Sequence, residues 1–418
     1  VAPPESGAIY AYFCKHLFKR WYHINSQCLF IFYSLYLASN YHLTFYVMRK
    51  CLLAAFLFLS FCCSAQDYYL LIGTYTQKGS KGIYVYHFNT TTGKAEWVSN
   101  TDSAANPSFI AIAPDKKHVY AVSETGGKTP SKVSAYAFDK STGKLTLINQ
   151  QPAGGDGPCH LAVSNNNKWV TVANYGSGSL AVFSIKNDGS LNPYSQAIQH
   201  EGSSVNKQRQ EKPHVHETVF SPAQDYLFTP DLGTDKVVVY KFNTASSKPL
   251  SPAPTPFVTV KPGSGPRHIT FHPNRKFAYL IEELSGTVAA YSYSNGKLTP
   301  VQAVATHPAD FKGQPGSAEV DLSPDGKFLY ASNRGEENNI AIFSVNPANG
   351  KLQLKGYQST LGKAPRHFII DPSGNYLLAA NQDSDNVVIF KRNKQTGMLT
   401  ATGEQIKVSM PVCLQLLK

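Results

Sequence analysis

An internal repeat of about 50 residues constrains this chain more than any other feature. Six segments share one layout, beginning at Asn106-Pro-Ser-Phe, Gly157-Pro-Cys-His, Pro213-His-Val-His, Gly265-Pro-Arg-His, Pro315-Gly-Ser-Ala and Ala364-Pro-Arg-His. Each opens with a short apolar stretch, such as Phe109 to Ala113 or Ile269 to His272. A turn word follows (Pro114-Asp-Lys-Lys, Pro324-Asp-Gly-Lys, Pro372-Ser-Gly-Asn), in which Pro and Gly preset turn dihedrals and Asp, Ser and Asn bond their own backbone. Aromatic and β-branched residues mark a second strand, as in Val119-Tyr-Ala-Val and Phe328-Leu-Tyr-Ala. A third strand alternates cleanly in Val237-Val-Val-Tyr-Lys-Phe and Ile340-Ala-Ile-Phe-Ser-Val. Gly143-Lys-Leu, Gly296-Lys-Leu, Gly350-Lys-Leu and Gly397-Met-Leu turn the chain into a fourth.

Four antiparallel strands per unit and no helix-period segment predict an all-β ring. Residues 67–105 hold only the second to fourth strands of a further unit, and Met410 to Leu417 can supply its first. Six whole units and one shared unit predict a seven-bladed β-propeller of four-stranded antiparallel blades. Its first blade is closed by the C-terminal strand, which removes free sheet edges.

The propeller domain is expected over residues 66–418. Before it, Met48-Arg-Lys, the apolar run Cys51 to Phe61 and Cys62-Cys-Ser-Ala-Gln read as a signal peptide over residues 48–65, cleaved after Ala65. A lipoprotein reading at Cys62 is weaker, because bulky Phe61 precedes it. Residues 1–47 show no period and read as a non-native, disordered upstream extension; a membrane segment around Leu29 to Leu37 is too short to cross. The expected location is therefore periplasmic or extracellular. Removing residues 1–65 takes the 39 basic and 27 acidic residues down to 34 and 26, with only Cys159 and Cys413 left of seven cysteines. The core must hold by burial rather than by disulfides. The positive charge is scattered, which disfavours nucleic acid and suits an anionic small molecule.

Aligning the units on the first residue of strand two (His118, Trp169, Tyr226, Phe277, Phe328, Tyr376) exposes two irregular columns. Ten positions earlier stand Ser108, Cys159, His216, Arg267, Ala318 and Arg366; six positions later stand Glu124, Tyr175, Leu232, Glu283, Arg334 and Gln382. Both columns belong on one rim, and function sits where a repeat stops repeating. Glu283 with Arg267 and Arg334 could also be a structural ion-pair ring, though buried pairs are costly. The next column, Phe109, His160, Glu217, His268, Glu319 and His367, is expected by alternation on the opposite strand face, between blades. Ser123, Asn174, Asp231, Glu282, Asn333 and Asn381 are expected to cap strand ends, and Asp231 and Asp235 to scaffold a loop.

The words Gly265-Pro-Arg-His-Ile-Thr-Phe-His-Pro, Glu282-Glu-Leu-Ser-Gly-Thr-Val, Ser332-Asn-Arg and Ala173-Asn-Tyr-Gly-Ser-Gly-Ser resemble the seven-bladed lactonase family. That family includes a bacterial 6-phosphogluconolactonase and a fungal carboxy-muconate lactonizing enzyme, and the resemblance covers about Tyr68 to Leu417. It implies a catalytic set of Arg267, Glu283, Arg334 and His216, with His214 a weaker choice for the histidine. His214, His160, Arg366, Glu124 and Gln382 are expected to bind substrate.

The expected activity is metal-independent and cofactor-free hydrolysis of a sugar-acid lactone, with an arginine-stabilised oxyanion and Glu283 or His216 as acid–base. An export signal sits uneasily with a phosphorylated substrate. Serine chemistry lacks a Gly-x-Ser-x-Gly elbow, and an arginine-rich rim repels a metal ion. The alternatives are a non-catalytic propeller binding a glycan or envelope partner, and muconate-type cycloisomerase chemistry. The partner is a small-molecule lactone or organic acid, with no membrane contact beyond export, and the ring is expected to be a monomer.

Overall fold

The computed structural model describes residues 67–102 and 104–418. The signal-peptide and upstream-extension readings lie outside them. The described chain forms seven four-stranded antiparallel sheets. Blade 1 joins Pro411–Leu417 to Asp67–Thr74, Tyr84–Asn89 and Ala95–Asn100, in that order. Leu70 pairs with Leu416 and Ile72 with Leu414, so the two chain ends share one sheet as the sequence predicts. Blades 2 to 7 are contiguous in sequence, with innermost strands Ile110–Ile112, Pro158–Val163, Val219–Phe220, Pro266–Phe271, Ser317–Leu322 and Pro365–Ile370. Among the described residues no helix is long and apolar enough to cross a membrane.

Adjacent blades pack apolar faces together, as Tyr279 and Ile281 of blade 5 do with Val320, Leu329 and Phe343 of blade 6. The repeated glycine after the third strand has a packing reason. Gly296 (φ +78°) and Gly397 (φ +75°) lie in the left-handed region, and a Cβ on either would strike the preceding blade's aromatic, Tyr226 or Phe328. The backbone carbonyl there is also used: Tyr279 donates to Gly350 O at 3.0 Å and Tyr330 to Gly397 O at 2.7 Å. Each such contact ties one blade to the next. The strand-two polar column ties loops in the same way, with Asn333 Nδ2 donating to Thr306 O at 2.6 Å and Asn381 Nδ2 to Thr360 O at 3.1 Å. Asp235 accepts the backbone N–H of Gly263 and Gly265, at 2.6 and 2.8 Å.

A β-bulge at the start of the innermost strands aims the site residues. Pro266 pairs with Glu282 and His268 with Ile281, leaving Arg267 as the extra residue. Cys159 and Arg366 occupy the same position in blades 3 and 7. Such a bulge breaks the two-residue alternation and re-aims side chains.

The candidate active site at the arginine-lined mouth

The two rim columns meet as the repeat predicts. Residues six past the strand-two start donate their backbone N–H to the segment just before strand one: Glu283 to Gly265 O at 2.8 Å, Arg334 to Gly316 O at 3.1 Å, Gln382 to Ala364 O at 3.0 Å. Side chains of both columns therefore crowd one mouth of the ring.

Glu283 is the centre of that mouth and is only 5% exposed. Its Oε2 meets Arg267 Nε at 3.1 Å and Arg334 Nη2 at 2.9 Å; its Oε1 meets Arg209 Nη2 at 2.6 Å. Burial alone would raise this carboxyl's pKa, but Arg334, Arg267 and Arg209 outweigh it and hold it well below the usual carboxylate range. Arg267, 2% exposed, also donates through Nη1 to Ala318 O at 2.6 Å. Burial, with Arg366 and Arg334 nearby, lowers its pKa to about 10, so it stays charged at neutral pH. Arg334 Nε donates to Gly316 O at 3.0 Å.

Across the mouth, the Arg366 guanidinium lies 5.6 Å from the Tyr75 ring centre and makes no hydrogen bond or ion pair among the described residues. Tyr75 donates its hydroxyl to Glu124 Oε2 at 2.8 Å. His216 is buried beside Cys159, whose Sγ donates to His216 O at 3.2 Å, and its ring stands edge-on to Tyr175 and His268, at 5.5 and 5.1 Å. Burial first, then Arg267, His268, Arg366 and Arg334, push His216 well below its ordinary pKa, leaving a neutral imidazole.

The remaining expected site residues stand apart from the Glu283 cluster. His214 stacks on Tyr175 at 4.4 Å, and both its ring nitrogens are engaged, with Tyr175 O at 3.0 Å and Glu211 Oε1 at 3.3 Å. Gln382 sits on a 3-10 turn and bonds Asp383 at 3.1 Å. His160 lies deeper, against Phe109 at 3.9 Å.

Those last two residues correct one expectation. The column Phe109, His160, Glu217, His268, Glu319 and His367 does not lie between blades. Phe109 of blade 2 reaches His268 of blade 5 and His367 of blade 7, at 6.4 and 5.8 Å, which only residues facing the central channel can do. The bulge is the reason, since it turns two consecutive side chains inward. The result is a second tier below the arginines, in which His268 Nδ1 meets Glu319 at 3.1 Å and Ile269 N donates to Glu217 Oε2 at 2.6 Å. Burial drives its groups toward neutrality: His160 and His268 fall well below the ordinary histidine range, and Glu217 rises well above that of a carboxylic acid. Arg267 Nη1 and His268 Nε2, 3.4 Å apart, join the tiers. A cavity of about 600 Å³ opens at the far end of the channel, lined by Glu319, Asp321, His367 and Gln415. It faces away from the arginines.

Arg209 was not singled out by the repeat. It stands on the connection between blades 3 and 4, outside both columns. The one signal was spacing: Gly157 to Pro213 is the longest interval between unit starts, and the surplus holds the basic stretch Lys207 to Lys212. Among the described residues, no group of three or more His, Cys, Asp or Glu is arranged to hold a metal ion.

Fold and mouth together define a seven-bladed propeller whose central opening is cationic and built around one carboxylate. The sequence matches the family described as "Lactonase, 7-bladed beta-propeller" over residues 69–416, and the chain belongs to it. A protein of Formosa agariphila named 6-phosphogluconolactonase is 41% identical, over 83% of this chain and 99% of its own length. One of Bacillus subtilis with the same name is 37% identical, over 83% and 97%. A solved structure described as a periplasmic gluconolactonase of Pseudomonas aeruginosa is 38% identical, covers 84% of this chain and 99% of its own, and superposes with a TM-score of 0.81.

Proposed function

We propose that this mouth hydrolyses the ring ester of a sugar-acid lactone, as a 6-phosphogluconolactonase-like hydrolase. The observation that carries the reading is the convergence of three guanidiniums on Glu283 beside a neutral, buried His216. His216 is the base. Both oxygens of Glu283 are taken up by arginines, whereas His216 Nε2 makes no hydrogen bond among the described residues and can take a proton from water as the oxyanion forms. Water oxygen bonds to the lactone carbonyl carbon, and the carbonyl oxygen becomes an oxyanion facing Arg267 and Arg334. Glu283 fixes those two cations in advance, so little reorganisation is needed as charge develops. The carbon–ring-oxygen bond then breaks, and the ring oxygen leaves as a hydroxyl with the proton returned by His216. The product is a hydroxy acid that ionises. Arg366, which makes no ion pair at contact distance among the described residues, receives the carboxylate that ring opening creates.

The test is turnover of glucono-δ-lactone, its 6-phosphate and galactonolactone by protein starting at Gln66, with and without chelator. Hydrolysis above the spontaneous rate, insensitive to chelator and lost in Arg334→Ala, is expected. A folded protein that opens none of the three would refute the reading.

Export belongs to the same proposal. The signal-like segment 48–65 and the relative described as periplasmic support it, and recovery of the protein from the cytosol on cell fractionation would oppose it. A ring closed by its own C-terminal strand is proposed to work as a monomer, checked by light scattering.

A further inference from the structure

Arg209 differs from the other arginines of the mouth in three ways. It lies on the connection between two blades rather than within one, its side chain is 44% exposed, and both of its side-chain hydrogen bonds run through Nη2, to Glu283 Oε1 at 2.6 Å and Tyr175 Oη at 3.3 Å. The connection beneath it is firmly tied. Gln210, fully buried, donates to Leu232 O at 2.9 Å, Ser204 Oγ donates to Asp235, and Asn206 Oδ1 accepts the N–H of both Gln208 and Arg209 at 3.1 Å. A rigid base thus carries a long side chain whose tip alone is free to change partner.

Glu283 divides its contacts to match. Oε2 holds Arg267 and Arg334, both within blades, and Oε1 holds Arg209. Losing Arg209 therefore leaves the carboxylate anchored and one of its oxygens open. Exposed Lys207, two residues away, adds positive charge on the solvent side.

We propose that Arg209 is an exchangeable specificity residue: an anionic group on the lactone, remote from the ring ester, draws its guanidinium from Glu283 and frees Oε1 to accept a hydrogen bond from the substrate. Recognition of the distant anion and readiness of Glu283 are thereby coupled through one side chain. An arginine suits this role because its planar fork can bind a phosphate with two nitrogens. A lactone without the anion leaves Arg209 where it is. This inference rests on the lactonase reading and goes beyond it by assigning to Arg209 the coupling between a remote anion on the lactone and the free oxygen of Glu283.

The experiment compares wild type, Arg209→Gln and Arg209→Lys in two assays. In the first, kcat/KM is measured on 6-phosphogluconolactone and on glucono-δ-lactone. The ratio between them is expected to fall roughly 10- to 100-fold in Arg209→Gln, the worth of one charge-assisted contact, with partial recovery in Arg209→Lys. In the second, calorimetry measures binding of inorganic phosphate, which needs no turnover; affinity is expected to fall at least about tenfold in Arg209→Gln. An unchanged ratio, or phosphate binding indifferent to Arg209, would overturn the inference while leaving lactone hydrolysis intact. Arg209-dependent phosphate binding by a protein that opens neither lactone would instead remove the lactonase reading and, with it, the coupling proposed here.

Discussion

Replacing Glu283 by glutamine keeps its shape and removes its charge. Arg267, 2% exposed, then loses its carboxylate and keeps a bond to the neutral Ala318 O, while Arg209 and Arg334 sit nearer solvent. Breaking a buried pair from one side costs about 3–5 kcal/mol, so Glu283→Gln is expected to lose about that much stability at pH 7. The pH dependence separates this account from a packing defect. In the folded protein the Glu283 pKa lies well below its unfolded value, which for a glutamate is about 4.3. A depressed acid contributes stability that is full above its unfolded pKa and lost as pH falls toward its folded one. At pH 3 the wild type has therefore given up about 2 kcal/mol of the Glu283 contribution, and the variant, with nothing there to titrate, has not. The gap between the two proteins should narrow by about that amount from pH 7 to pH 3. Buried groups that do not feel the Glu283 charge titrate alike in both proteins and cancel in the difference. Urea unfolding followed by tryptophan fluorescence is the assay, because guanidinium chloride would screen the charges under test. A gap that stays constant or widens in acid would refute the reasoning.

Further expectations follow from the same site and from the tier below it. His216→Gln should lower kcat about 10²- to 10⁴-fold with the fold kept. Because His216 is held well below its ordinary pKa, the acid limb of the wild-type rate should begin below the usual histidine range; a limb centred near pH 6.5 would exclude it as the base. Burial lifts Asp321 to about 7, so its contribution is full below its unfolded pKa and lost as pH rises through 7. Asp321→Asn should consequently stabilise the protein at pH 8, by about 1–2 kcal/mol given the open cavity that it lines, and do little at pH 4; equal effects at both pH values in thermal unfolding would contradict this.

The ring and most of the mouth were legible because they are written as a repeat and as departures from it. Arg267, Glu283, Arg334, Arg366 and His216 all fall on columns defined by the strand-two aromatic, and the backbone bonds of Glu283 and Arg334 show that the columns meet. Two features were not legible. The inward turn of His268 and its column depends on a bulge, and a bulge leaves no mark on a pattern read with a strict period of two. Arg209 depends on a connection whose path the repeat does not specify, so its approach to Glu283, 74 residues away in sequence, is a tertiary fact.

The way blade 1 is assembled also sets an order of events in time. Its innermost strand, Pro411–Leu417, follows its three other strands by the length of six blades, and Cys413 and Leu414 within it are fully buried. Until those residues leave the ribosome, Asp67–Thr74 has no inner neighbour, and the first and last blades cannot be joined. Closure of the ring therefore waits until every other blade has been made, although blades 2 to 7 are each complete without that strand. Its quality control is equally simple, because a chain stopped a few residues short presents an unpaired strand edge where the finished ring has none.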